Sequence, residues 1–214
     1  MSNADKSAVV FWEVDTQADF MLPGGKLYVP GAEKRIANMR RLVDVARAGK
    51  VFLISSADQH APNDPEFARF PPHCVKGTNG AEILAELKAP KITSIPNDKN
   101  SSIPPNLDKV QQIVLEKQTL DVFDNPNTEK IIQRFPGNEE FVVFGVVTEF
   151  CVRLAAKGLL DRGRRVAIVT DAIETLDASE GRRTLDELAS RGARLITTNE
   201  ALALAKSLPR STDS

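Results

Sequence analysis

A cysteine where a strand turns into a helix is well placed to act as a nucleophile, and Cys151 has that setting. The run Phe141-Val-Val-Phe-Gly145 is apolar and β-branched, as a buried strand requires. It breaks at Gly145, and Thr148 is the expected N-cap of a helix that holds Cys151 in its first turn. Unpaired N–H groups and the positive end of the helix dipole favour a thiolate there. The thiol needs a base, and Asp15 is the candidate. It ends the apolar run Val9-Val-Phe-Trp-Glu-Val, where a carboxylate is costly unless paired or used. Lys117, at the end of the run 110–116, would favour the charged forms of both. The backbone N–H groups of Val147 and Cys151 could be aimed at an oxyanion. Together these groups suit an acyl-thioester route: attack, loss of an amine, then hydrolysis by water. Each also has a plainer role, Cys151 as a small buried hydrophobe, Asp15 as a turn cap and Lys117 as a solvated strand end.

A second set of chemical groups falls in residues 58–73. Asp58 and His60 are two residues apart, so on an extended chain they point the same way. Glu66 and His73 follow in the same loop, and the chain's 2 histidines both lie within it. Carboxylate and imidazole together suit a divalent zinc, iron or manganese ion. The alternative is a polar loop in which Pro71-Pro72 hold a buried His73.

These residues must be held by elements, and the pattern supplies them. Strands are expected at 9–15, 50–56, 110–116, 141–144, 165–171 and 193–197. Helices are expected at 32–48, 81–87, 128–134, 149–161, 179–190 and 199–208, with a brief strand near Ile92 in a proline-rich stretch. Alternation of this kind argues an α/β fold, a three-layer α/β/α sandwich around a six-stranded, mostly parallel sheet. Sites in such sheets lie off the carboxyl ends of the strands, where strand order reverses, and Asp15, Asp58, Lys117 and Cys151 all follow strands at that edge.

The 214 residues suit a single domain over 1–214, with a core at about 9–203 and a polar tail at 209–214. A hydrophobic fraction of 42% and a charged fraction of 27% are those of an ordinary globular protein. A net charge of -1 gives no field for nucleic acid and no polybasic run for a membrane surface. Two cysteines, Cys74 and Cys151, make no disulfide framework, and with no signal-peptide pattern the expectation is the reducing cytoplasm.

Three segments resemble one family. Val14-Asp15-Thr-Gln17-Ala-Asp19-Phe20 with Pro23-Gly24-Gly25 is similar to the opening of the nicotinamidases, a group of the isochorismatase-like cysteine hydrolases. Asp58-Gln-His60 with Phe70-Pro-Pro-His73-Cys74-Val-Lys-Gly77-Thr-Asn-Gly80 resembles that group's metal loop, and Gly145-Val-Val-Thr-Glu-Phe-Cys151-Val its nucleophile turn. The resemblance runs from about Val9 to Ala203. It implies a triad of Asp15, Lys117 and Cys151, with a cis peptide between Val146 and Val147 that turns the Val147 N–H into the oxyanion hole beside that of Cys151. It implies that Asp58, His60 and His73 hold a divalent metal, with Glu66 where relatives carry a further ligand. It implies that Phe20 and Phe70 sandwich the substrate ring, with Val146 also at the substrate. The expected reaction is hydrolysis of nicotinamide to nicotinate and ammonia, by a homodimer or homotetramer. Two alternatives are a cysteine hydrolase acting on another small amide or carbamoyl compound, and a non-catalytic binding relative. Two stretches depart from the family, the loop after Lys117, where Phe123 is the one aromatic, and the prolines of 92–107. Both departures are expected to bear on the substrate pocket.

Overall fold

The structure is a computed structural model that describes residues 9–107, 109–135 and 137–206. The expected tail at 209–214 lies outside the described residues.

β1 (Val9–Val14) is buried along its whole length, as a central parallel strand covered on both faces must be. It pairs on one side with β2 (Phe52–Asp58), Val14 opposite Ser56, and on the other with β5 (Glu140–Gly145), Val14 opposite Gly145. β2 continues to β4 (Gln112–Lys117), with Asp58 opposite Lys117, and β4 to the edge strand β3 (Ile92–Ile95). β5 continues to β6 (Arg165–Ile173) and then β7 (Arg194–Ile196). Every pairing is parallel, in the order β3-β4-β2-β1-β5-β6-β7. The sheet therefore has seven strands among the described residues, the expected six and, as β3, the brief strand expected near Ile92.

Each sheet face carries its own apolar cluster. Phe11, Leu53 and Val114 meet α2 (Ile36–Arg47) and α6 (Thr198–Lys206) on one side. Trp12, Ile54 and Val143 meet α3 (Thr128–Ile132), α4 (Arg153–Asp161) and α5 (Ala178–Ser190) on the other. This is the expected three-layer arrangement. Among the described residues no helix is long and apolar enough to cross a membrane.

The chain leaves β1 towards β2 and β4, then returns to β1's other flank as β5. The carboxyl ends of β1 and β5 therefore form the switch point where a crevice opens.

Local differences from the sequence reading have local causes. The helix expected at 81–87 is two 3-10 turns, Asn79–Ala81 and Ala85–Leu87. Between them the chain is pulled straight by an antiparallel bridge from Ile83 to Gln17, with Leu84 N–H donating to Thr16 O and Ala18 N–H to Glu82 O. The loop after β1 contains a helical turn, α1 (Ala18–Met21). β2 runs on to Asp58 because β4 pairs with it that far. Thr148 caps nothing: its hydroxyl donates to Glu174 O at 2.8 Å, and Thr148–Val152 is a π-helical turn leading into α4.

Candidate active site

Gly145 brings the two halves of the crevice together. Its φ is +123°, and a Cβ there would lie 2.1 Å from Val14 O. The following Val146 N–H donates to that same carbonyl at 2.9 Å. Only glycine allows β5 to end so close to β1, which sets the turn carrying Cys151 against the residue after β1, Asp15. Asp15 has left the strand, with φ +49°, and Ser56 donates its hydroxyl to Oδ1 at 2.6 Å.

Lys117 reaches the same point from the end of β4. Its Nζ lies 2.9 Å from Asp15 Oδ2 and 3.6 Å from Cys151 Sγ, and it also donates to Asp58 Oδ1. All four residues are buried. Burial alone would lower the Lys117 pKa, but the Asp15 and Asp58 carboxylates hold it well above the usual value. Burial pushes the Asp15 carboxyl up against the pull of Lys117. The Cys151 thiol is pushed up too, first by burial, with Lys117 opposing and the Asp15 and Asp58 charges adding to it. The resting cysteine therefore keeps its proton, contrary to the thiolate expected from the helix dipole. Asp15, joined to the thiol through Lys117 Nζ, is the nearby base to which that proton can go.

Asp58, His60 and His73 form a second cluster, their ligand atoms all within 4.8 Å of one another and all three residues buried. Asp58 Oδ2 stands 3.7 Å from the Nε2 atoms of both histidines. Each Nδ1 faces the protein instead, that of His60 at 3.1 Å from Asp64 Oδ2 and that of His73 at 2.8 Å from Pro71 O. At His73 the Pro71 carbonyl fixes the tautomer and aims Nε2 at a metal, whereas at His60 Asp64 supplies a nearby charge and no hydrogen bond. Both ring nitrogens of His60 are buried without a hydrogen-bond partner, an expensive state that a cation at Nε2 would relieve in part. One carboxylate, one unsatisfied imidazole and a second imidazole suit a divalent transition ion, so the residues fit the group expected from the sequence. Glu66 stands beside the cluster but is not among the converging ligand atoms. It sits in the 3-10 turn Pro65–Ala68, whose geometry gives the inner position to Asp64.

Cys151 opens on a cavity of about 70 Å³ that also touches Asp58, His73 and Val147. Phe20 and Phe70 both line it, with ring centroids 5.4 and 6.4 Å from that of His73. The peptide between Val146 and Val147 is cis. Val146, expected at the substrate, instead packs in the core with 1% exposure and is absent from the lining. Phe123 is also no part of the wall, since it stacks with Trp12, lies under Arg162 and fills the space over Gly158. Leu120 takes the wall position in that loop. No residue of 92–107 lines the cavity, so the proline-rich stretch does not shape the pocket. It holds the neighbouring loop, through Asn97 to Gln118 and through Asn127 to the Pro96 and Asp98 carbonyls. A wider, open groove of about 620 Å³ continues past Glu66 and Leu120 towards Arg69 and Asp124.

Sequence reasoning missed Asp64, Phe67, Leu120, Phe150 and Leu176. Phe67 packs on both histidines, at 5.3 and 5.8 Å, and the last three line the cavity. The spacing of Asp64, four residues after His60 across Pro62, was the one available signal.

The chain has known counterparts. A family model described as the isochorismatase domain matches residues 7–101 and 90–200. The nicotinamidase of Escherichia coli strain K12 is 24% identical over 209 residues, covering 86% of this chain and 92% of that protein. The pyrazinamidase of Pyrococcus horikoshii in complex with zinc superimposes with a TM-score of 0.70 at 25% identity, covering 88% and 98% of the two chains. The N-carbamoylsarcosine amidase of Thermoplasma acidophilum has the same fold, with a TM-score of 0.70 at 23% identity and coverage of 90% and 97%.

Proposed function

The chain belongs to the isochorismatase domain family, and from that premise we propose a cysteine amidohydrolase that converts nicotinamide to nicotinate and ammonia. The observation that carries this reading is the position of Lys117 Nζ, 2.9 Å from Asp15 and 3.6 Å from Cys151 Sγ, beside a cavity on which the thiol opens.

In this reading Asp15 takes the proton from Sγ as the sulfur attacks the carboxamide carbon. Lys117 keeps its charge throughout and holds the carboxylate towards the thiol. The N–H groups of Val147 and Cys151 receive the oxyanion. The carbon–nitrogen bond then breaks, Asp15 returns the proton to the departing nitrogen, and ammonia leaves a thioester on Cys151. Water gives a proton to Asp15 and attacks the thioester. The carbon–sulfur bond breaks, and the proton goes back to sulfur as the carboxylic acid leaves. Asp58, His60 and His73 would hold a divalent ion, zinc, iron or manganese, which when bound supplies a Lewis acid for a lone pair of the substrate. Phe20 and Phe70 offer aromatic faces to a flat ring.

The test is ammonia release from nicotinamide by the wild type and by Cys151→Ala. Loss of activity in the variant, with an acyl adduct on Cys151 trapped by acid quench of the wild type, is the expected result. Turnover that survives in Cys151→Ala refutes the covalent route. Leu120 and the open groove beyond it favour a second reading with the same triad, hydrolysis of a heteroaromatic or carbamoyl amide whose substituent extends past Leu120. A panel of amides ranked by kcat/KM separates the two.

A further inference from the structure

Two side chains between Asp15 and Phe20 take no part in the reaction above, yet both are buried and both grip the metal loop. Gln17 is fully buried. Its amide nitrogen donates to Asp58 O at 2.6 Å and to Ala81 O at 2.7 Å, while its amide oxygen accepts the Asp58 N–H at 2.7 Å. The side chain thus imitates a neighbouring strand, holding the Asp58 peptide from one flank while Lys117 of β4 pairs with it on the other. Asp19 does the same for the second half of the cluster. Its Oδ2 accepts the Cys74 N–H at 2.8 Å and its Oδ1 the Lys26 N–H at 3.0 Å. Cys74 follows His73 and has φ +44°, a left-handed conformation that a non-glycine residue keeps only when its surroundings enforce it. Gly80 closes over the same carboxylate, since a Cβ there would fall 2.2 to 2.5 Å from the Asp19 carboxyl atoms. With Pro71 O fixing the ring from the other side, His73 is held both before and after its own Cα.

We propose that Gln17 and Asp19 are positioning residues that set metal affinity, by fixing the backbones of Asp58 and Cys74 so that the Asp58 carboxylate and the His73 ring converge. The segment that carries the base thereby registers the metal centre against the triad. This rests on the metal part of the functional reading and is independent of the substrate.

The test uses the full chain, stripped with a chelator and titrated with zinc in competition with a chromophoric chelator, and with cobalt followed by its visible absorption. Gln17→Met and Asp19→Asn are expected to weaken metal binding about 10- to 100-fold, the range for lost partners of metal ligands, and to change the cobalt spectrum. Gln112→Met removes an equally buried polar side chain that does not touch the metal loop. It is expected to lower thermal stability with wild-type affinity and spectrum. Variants binding within twofold of wild type, or an equal loss in Gln112→Met, overturn the inference alone. A wild type that binds neither ion overturns the metal reading and the inference with it. Should Asp19→Asn fail to fold, Gln17→Met decides.

Discussion

Asp58 serves two neighbours at once, with one oxygen on Lys117 and the other facing two imidazoles. Burial would push its carboxyl up, but Lys117 and the two histidines reverse that and hold it well below the usual range. Lys117 thus stands as a cation between two buried carboxylates, Asp15 and Asp58. Replacing it by Met removes the cation that both carboxylates share. The expected cost is about 3–5 kcal/mol in urea unfolding, and amide hydrolysis is expected to fall by more than about 10³-fold because residues acting as a unit fail together. A Lys117→Met protein as stable as wild type would mean that Lys117 does not neutralise the pair. At this scale Asp15, Lys117 and Cys151 were readable because each follows an apolar run that fixes its place at the sheet edge. Leu120, Phe150 and Leu176 were not, since a wall residue on a loop or a turn carries no mark of its own in sequence.

Among the elements, the junction of β1 and β5 governs the site. Because the Gly145 Cβ position lies 2.1 Å from Val14 O, alanine there forces the strand ends apart. Gly145→Ala is expected to cost at least about 2 kcal/mol and to reduce kcat by about 10²-fold, since a displacement of about 1 Å at the nucleophile has that effect. The control is Gly163→Ala. It also has a positive φ but nothing within 4 Å of its Cβ position, so its activity should stay at the wild-type level. Equal kcat losses in the two variants would remove the junction from the account. The long strands and helices could be read from period and length, and so could the brief strand near Ile92, now β3, though its pairing with β4 could not. Two features escaped. The π-helical turn at Thr148–Val152 has the composition of an ordinary helix start. The two 3-10 turns around Ile83 depend on a bridge to Gln17, a partner 66 residues away, which no local window contains.

For the molecule as a whole, the alternation of strands and helices foretold the layers and the sheet edge that carries the site. The order of strands and the polar network inside the sheet were not foretold, because both depend on which distant segments meet. That network gives the protein a pH dependence of its own. Glu13, on β1, is fully buried and accepts from Thr16 at 2.7 Å, Ser55 of β2 at 2.6 Å and Gln112 of β4 at 2.9 Å. Gln112 in turn accepts the Ala89 N–H, so one carboxyl ties three strands and the chain before β3 together. Burial raises its pKa from 4.5 to about 7, the three hydrogen bonds and the Arg47 charge opposing only in part. The folded state then holds a proton that the unfolded chain has released, so the contribution to stability is full below pH 4.5 and is lost as pH rises to about 7. Over that interval the loss is about 3 kcal/mol, at about 1.4 kcal/mol per unit. Other carboxyls titrate in the opposite sense, Asp58 among them, so the measurement is a difference. Glu13→Gln keeps an acceptor for Ser55 and Gln112, presents an amide N–H to the Thr16 hydroxyl, which can turn to accept it, and carries no charge at any pH. Its unfolding free energy is expected to match wild type near pH 5 and to exceed it by about 2–3 kcal/mol near pH 8. A gap that stays constant between those values would mean that Glu13 is ionised in the fold throughout, and the three strands would then be joined by a charge and not by a proton.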